Sequence, residues 1–329
     1  MKENIYTNIT DYINPRYVFN FFIGGRGIGK TYSILKYFYN ENINFLYLRY
    51  TNTELDIAVN ADLFKQYGDD ISFHRLDDGF YSFTKNDKLC GYGMSLSTFK
   101  NKRGVDFSDI DYIFLDEFIP EIGSRKVISY VGNVFLNMYE TVNRNREFEG
   151  KYPVMLIACA NSNDIANPLM IDLGLTSVAE EMIRTDNEFY HDLKRGFQLA
   201  ILKSNPAFYD KKSKTALYKF ATKDFTDMSL NNIFTYNDFS NIKDYNLKGM
   251  QPVFSIKNKW TLYKKKNDEL YYIYPNVIAK EIFDINDPIQ KQKMLSKYLV
   301  WVNAKYYKNK IRFSTYEIKN LFIDLFIKL

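Results

Sequence analysis

Tyr17-Val18-Phe19-Asn20-Phe21-Phe22-Ile23 runs without a break into Gly24-Gly25-Arg26-Gly27-Ile28-Gly29-Lys30-Thr31. The first seven residues read as a buried strand. The next eight fit G-x-x-x-x-G-K-[ST], a motif that requires a strand before it and a helix after it. Each residue type has its own physical reason. Glycines let the backbone N–H groups of the loop turn inward around phosphates, and a helix starting at Lys30 adds partial positive charge at the same point. Lys30 is placed to reach the β- and γ-phosphates of ATP, and Thr31 to ligate Mg²⁺. Arg26, inside the loop, is a further candidate for touching nucleotide or a neighbouring subunit.

Outward from this stretch, residues 43–48 (INFLYL), 110–115 (IDYIFL) and 154–159 (VMLIAC) are short apolar runs rich in β-branched and aromatic residues, the signature of strands buried on both faces. They alternate with helical patterns that begin at Lys30, near Thr53 and near Val127. In the last of these, Val127, Val131, Val134, Met138 and Val142 recur at helical spacing. The order predicts an α/β fold, a doubly wound parallel sheet of the P-loop NTPase type with an additional strand and a catalytic glutamate. Residues 71–94 read as a hairpin pair, with turns at Asp78-Gly79 and Asn86-Asp87, inserted into that domain. The pattern changes after Arg195. The expected division is an ATPase domain over 1–195, a linker or small helical element over 196–230, and a smaller α+β domain over 231–329. That last domain has strands at 252–256, 260–265 and 270–274, and helices at 291–307 and 316–329.

Composition narrows the class. With 329 residues and 46% hydrophobic content the chain can bury a sizeable core. No apolar run approaches the roughly 20 residues of a membrane span, and Met1-Lys2-Glu3-Asn4 does not open a signal peptide, so the cytoplasm is the expected location. Two cysteines, Cys90 and Cys159, and two histidines argue against a disulfide framework or a zinc site. The net charge of +5 is unevenly spread: residues 1–195 hold 21 Lys and Arg against 27 Asp and Glu, and the remainder holds 23 against 12. The C-terminal part is therefore either a polyanion-binding surface or a solvated basic one.

Asp116-Glu117 directly follows the apolar run ending at Leu115. A carboxylate at the end of a buried strand suits Mg²⁺, which gives Asp116 that role, and the next carboxylate, Glu117, is placed to polarise an attacking water. This pairing points to ATP hydrolysis rather than nucleotide kinase or GTPase chemistry, and no Asn-Lys-x-Asp base-reading motif occurs. Asn161, after the strand at 154–159, reads as a γ-phosphate sensor or as a loop cap. Arg144 and Arg146, past the end of the helix near Val127, read as a finger entering a neighbour's site or as a solvated helix terminus.

Taken together, 22–30 (FIGGRGIGK), 115–119 (LDEFI) and 141–147 (TVNRNRE) resemble the DNA-packaging ATPases of phi29-like tailed phages, small relatives of terminase large subunits. Weaker likeness continues through Ala160-Asn161, Asn167-Pro168, Met228-Ser229-Leu230 and Phe254-Ser255-Ile256. The resemblance implies a homopentameric ring docked at the portal vertex of a procapsid in the host cytoplasm, driving double-stranded DNA inward with ATP. It implies that Arg144 acts in trans with Arg146 in support, and that Asn161 couples nucleotide state to Glu117. It further implies a C-terminal domain resembling a vestigial RNase H-like nuclease, and contacts with the portal and with an accessory RNA. Lys100-Asn101-Lys102-Arg103-Gly104 departs from the family in composition but stays basic. The alternatives are a terminase-like enzyme with an active nuclease, a ring helicase or loader, and a docking module presenting Trp260, Tyr263, Tyr271 and Tyr272 as an aromatic–basic surface.

Overall fold

In the computed structural model, residues 5–99, 104–120, 130–162, 164–230 and 237–328 are described. Lys100, Asn101, Lys102 and Arg103 of the basic stretch, and the expected start of a helix at Val127, lie outside them. The chain forms two compact units, Met1–Asn237 and Asp238–Leu329.

The first unit carries β1 (Phe19–Gly24), α1 (Lys30–Glu41), β2 (Phe45–Arg49), α2 (Asn52–Asn60), β3 (Ile71–Asp77), β4 (Phe80–Lys85) and β5 (Lys88–Ser95). Next come β6 (Tyr112–Asp116), α3 (Val131–Asn143), β7 (Met155–Ala160), α4 (Pro168–Asp172), α5 (Thr176–Thr185), β8 (Phe189–Asp192) and β9 (Phe197–Leu202). The helices α6 (Pro206–Ser213), α7 (Ala216–Phe220) and α8 (Lys223–Leu230) complete the unit. One sheet holds all nine strands in the order β3-β4-β5-β2-β6-β7-β1-β9-β8. From β5 to β9 every pairing is parallel, so the C-terminal ends of β1, β2, β6 and β7 share one edge. In open parallel sheets that edge is where ligands bind.

Two sequence expectations change. Residues 71–94 do form two antiparallel hairpins, β3–β4 and β4–β5, but they are not merely inserted: residues 91–95 of β5 pair with β2, so the hairpins extend the main sheet. Residues 197–202, expected to open a linker, form β9, which pairs with all six residues of β1. The reason is burial. Asn20 in β1 is fully enclosed, and Gln198 in β9 donates to its Oδ1 at 2.7 Å, so β9 covers an edge that β1 cannot leave open.

Aromatic packing fixes α1 on the sheet. Phe38 is buried against Phe45 at 5.0 Å between ring centres, with Tyr112 at 5.4 Å and Phe114 at 6.3 Å. A side chain of this kind contributes about 2–3 kcal/mol by burial. The helix stops where Asn42 takes a left-handed conformation, φ 52°, and closes the last turn onto Phe38 O.

The second unit is built on β10 (Met250–Ile256), β11 (Trp260–Lys265), β12 (Tyr271–Tyr274), β13 (Ile282–Phe283), α9 (Pro288–Tyr307), β14 (Ile311–Phe313) and α10 (Tyr316–Phe326). Its five-stranded sheet runs β13-β10-β11-β12-β14. The docking-module alternative needs an aromatic surface at Trp260, Tyr263, Tyr271 and Tyr272, and all four side chains are buried. One sheet face packs on α9 and α10 through Met294, Val302 and Phe322. Opposite it, Tyr263 donates to Asn276 Oδ1 at 2.7 Å and Tyr272 meets Tyr245 at 5.3 Å.

Lys319 of α10 is buried, yet its Nζ donates to Asp238 O and Oδ2, both at 2.6 Å, and to Ser240 O at 2.7 Å. Burial lowers its pKa. Partial burial pushes Asp238 up, but bonds from Lys319 and Ser240 bring its carboxyl below the ordinary range. This ammonium pins the first residues of the second unit to its last helix. Lys319→Ala should cost about 3 kcal/mol in urea unfolding of the full chain, because breaking a buried pair strands backbone acceptors as well as a carboxylate. A cost under about 1 kcal/mol would mean the contact is dispensable.

Candidate active site

The loop after β1 turns through Gly29 at φ 103°, a conformation open to glycine and strained for other residues, and α1 then begins at Lys30. Ile28 is buried in the core and holds the loop down. Around the loop lies a cavity of about 1490 Å³. Arg26, Gly27, Gly29, Lys30, Thr31, Asp116, Glu117 and Asn161 line it. Gly24 and Gly25 stand behind, and their carbonyls accept from Lys30 Nζ at 2.8 and 2.7 Å.

Lys30 also donates to Asn161 Oδ1 at 3.0 Å. Asn161 follows the end of β7 next to β1, so its side chain meets the loop. Burial lowers the Lys30 pKa to about 8. Thr31 Oγ1 donates to Asp116 Oδ1 at 2.9 Å, joining the first turn of α1 to the last residue of β6. Burial pushes the Asp116 carboxyl up, against the pull of Arg49, Thr31 and Tyr47.

Glu117 is the first residue past β6 and takes φ 57°, a left-handed conformation that costs a non-glycine residue of order 1 kcal/mol. Its Oε2 accepts from Arg49 Nη2 at 2.6 Å, while Arg49 Nη1 reaches Asp116 Oδ2 at 3.1 Å. Tyr47, two residues earlier on the same face of β2, donates to Asp116 Oδ2 at 3.1 Å. Arg49 and Tyr47 belong to the site and the motif reading missed them. A signal was present: an arginine closes the apolar run Phe45-Leu46-Tyr47-Leu48, as Asp116 closes its own run on the neighbouring strand.

Arg144 and Arg146 do not line this cavity. Arg146 is committed within its own chain: it donates to Tyr152 O, to the carbonyls of Ser108 and Ile110, and to Asp111 Oδ1 at 3.1 Å. Arg144 caps α3 at φ 46°, is exposed, and among the described residues its side chain donates to Val105 O at 3.1 Å and lies near Asp106.

In the second unit the acidic residues that a nuclease would gather on metal are spread over separate ion pairs. Asp284 pairs with Lys257, Glu281 with Lys297, Glu269 with Lys305 and Asp268 with Lys265.

The family profile described as podovirus DNA encapsidation protein (Gp16) matches residues 1–329, the whole chain. The chain belongs to the podovirus DNA encapsidation family. Its relatives include the DNA packaging protein of Bacillus phage phi29, 25% identical over 100% of this chain and 99% of that protein. The DNA packaging protein of Bacillus phage B103 is 28% identical over 74% of this chain and 72% of that one. Among solved structures, the bacteriophage phi-29 viral genome packaging motor assembly contains a chain of the same fold. It has TM-score 0.68 and 18% identity, over 98% of this chain and 99% of that chain. No helix among the described residues of this encapsidation protein is long and apolar enough to cross a membrane.

Two outcomes follow from this geometry. Between about pH 8 and the ordinary lysine value of 10.5, the unfolded chain holds a proton that folded Lys30 has lost, so stability rises with pH in that window. Relative to a Lys30→Met variant, unfolding free energy from urea titrations should climb by roughly 1 kcal/mol per pH unit between pH 8 and 10. Parallel curves would show that Lys30 stays charged. In the same assay Arg146→Ala should lose about 2 kcal/mol and Arg144→Ala less than about 0.5.

Proposed function

We propose that this encapsidation protein is the ATP-hydrolysing subunit of a packaging motor that moves double-stranded DNA into a preformed capsid. The observation that supports it best is the convergence of Lys30, Thr31, Asp116, Glu117 and Asn161 on one open cavity at the sheet edge, in a chain matched end to end by the encapsidation family. The relatives are named as DNA packaging proteins, and a chain of like fold stands in a genome packaging motor assembly.

The residues fit Mg·ATP. A threonine hydroxyl and a carboxylate 2.9 Å apart are hard oxygen donors of the kind Mg²⁺ takes, with phosphate oxygens and waters completing the shell. Bound there, Mg²⁺ would offset charge on the β- and γ-phosphates. Lys30 would leave the carbonyls of Gly24 and Gly25 for the phosphates, a move that recovers the charge burial suppresses. Asn161, now on Lys30, would then face the γ-phosphate. Glu117 would leave Arg49 to accept a proton from the attacking water, as a general base must lie within hydrogen-bond reach of it. Arg49, which binds Glu117 at 2.6 Å, would have to release it for that task.

Arg144 is the trans finger of this reading: exposed, bonded through its side chain to Val105 O among the described residues, and outside its own cavity. Arg146 supports it from within the chain. The motor is a homopentameric ring on the portal, with an accessory RNA as a further partner, working in the host cytoplasm. The second unit, with Asp238, Asp268, Glu269, Glu281 and Asp284 held in separate ion pairs, is an inactive nuclease-like domain that contacts nucleic acid or portal.

The test is steady-state ATP hydrolysis by the purified protein with and without double-stranded DNA. DNA should raise turnover. Glu117→Gln and Arg144→Ala should each lose at least a hundredfold, and an equimolar mixture should regain activity, because each variant supplies the group the other lacks. Hydrolysis indifferent to DNA, with Arg144→Ala fully active, would leave an ATPase without the packaging mechanism.

A further inference from the structure

The segment that follows α3 is a braced turn. Phe148 N–H donates to Asn145 O at 2.9 Å, Gly150 N–H to Glu147 O at 3.2 Å and Lys151 N–H to Arg146 O at 2.9 Å. Asn143, the last residue of α3, ties both ends. Its Nδ2 donates to Glu147 Oε2 at 3.1 Å, and its Oδ1 accepts from Val154 N–H at 2.8 Å. Arg146 adds a bond to Tyr152 O at 3.2 Å and one to Asp111 Oδ1, just before β6, at 3.1 Å.

Two large rings stand on this turn in water. Phe148 is 90% exposed and Tyr152 92%. One exposed ring is ordinary on a protein surface. Two on one turn, kept outward by bonds that stop the turn from folding them down, mark a contact surface. The open surface continues onto α3, where Leu136, Glu140 and Arg144 are exposed at four-residue spacing along one stripe of the helix.

Charge separates the candidate partners. Residues 145–152 hold Arg146 and Lys151 against Glu147 and Glu149, so the turn has no net charge and offers a phosphate backbone no excess of cations. Aromatic side chains in neutral surroundings suit a protein surface, where they form the buried centre of a contact. Arg144 begins the same turn and does not line its own cavity. If it serves the cavity of a second copy, the turn that carries it must lie on that copy.

We propose that Phe148 and Tyr152 seat this turn on a second copy of the chain and so bring Arg144 to that copy's phosphate loop. The proposal rests on the trans reading of Arg144. When covered, each ring buries about 150–250 Å². That forms the centre of a contact which needs about 800 Å² from each side to be stable, and the open stripe of α3 supplies part of the rest. The contact is head to tail, the turn of one copy against the cavity edge of the next, so it repeats from copy to copy as in a ring. Phe148 and Tyr152 are positioning residues, acting on nucleotide only through Arg144.

Sedimentation velocity of the full chain with Mg²⁺ and ATPγS, over a range of protein concentrations, tests this. Phe148→Ser/Tyr152→Ser should associate at least thirtyfold more weakly than the parent chain, with each single variant showing part of the loss. Phe148→Tyr/Tyr152→Phe should stay within threefold of the parent. The urea midpoint of the double serine variant should not move, since both side chains already face water in the folded chain. Mixed with an equal amount of Glu117→Gln, that variant should regain ATP hydrolysis that each lacks alone, because the Glu117→Gln copy carries an intact turn and finger. Association equal to the parent's would overturn the proposal, as would a mixture no more active than its parts. A lowered urea midpoint would mean that the rings support the fold, and loss of DNA binding with association intact would give the turn to DNA; either result also overturns it. Two further outcomes separate the levels. A parent chain that stays monomeric at every concentration removes the trans reading of Arg144 together with the anchor. If the parent associates, and Arg144→Ala mixed with Glu117→Gln recovers activity while the serine variant associates normally, only the anchor fails.

Discussion

Two adjacent carboxylates at the end of a buried strand set the terms for the rest of the site. Asp116 is enclosed, Glu117 follows it in the chain, and like charges so close in a low-dielectric setting are costly unless cations reach both. Arg49 bridges them from the next strand, and Thr31 and Tyr47 satisfy the remaining lone pairs of Asp116. A planar guanidinium can hold two carboxylates at once, which an ammonium cannot do with the same geometry. The strained backbone at Glu117 belongs to the same arrangement. The chain leaves β6 in a left-handed turn, and the side chain is left on Arg49.

That arrangement depends on strand register. Leu48 stands beside Leu115, so the residues that follow, Arg49 and Asp116, arrive together at the sheet edge. Cys159 stands beside Asp116 and Phe22 beside Cys159, which brings Asn161 and the loop after Gly24 to the same level. A one-residue slip of β2 would turn Arg49 to the other face and leave the carboxylates without their cation. The nine-stranded sheet and its aromatic layer under α1 therefore act as the jig that holds polar groups from four strand ends.

Much of this was legible in the sequence, for a physical reason. Strands buried on both faces must be continuous apolar runs, and 17–23, 43–48, 110–115 and 154–159 each fall within two residues of β1, β2, β6 and β7. Motif spacing then placed Lys30, Thr31 and Asp116 together. What stayed hidden depends on which strand lies beside which. Arg49 reads as an ordinary strand end until β2 is known to neighbour β6. Phe197–Leu202 reads as the start of a linker until its pairing with β1 is seen. Trp260, Tyr263, Tyr271 and Tyr272 read as a surface because lysines interleave them, yet segments outside the strands cover the second face of that sheet. Composition near a residue does not report what packs on it.

The two arginines after α3 show how structure divides roles that spacing leaves equal. Both follow the helix by one turn or less, and either would serve as a finger on charge alone. Arg146 is already spent on the carbonyls before β6 and on Asp111, bonds that hold the end of α3 to the strand carrying Asp116. Moving it toward another subunit would leave those acceptors unpaired. Among the described residues the Arg144 side chain bonds one carbonyl, that of Val105, and it sits at the exposed C-cap of α3. A finger of the proposed kind would have to be cheap to release at home, and of the two arginines Arg144, with fewer bonds among the described residues, fits that condition better than Arg146.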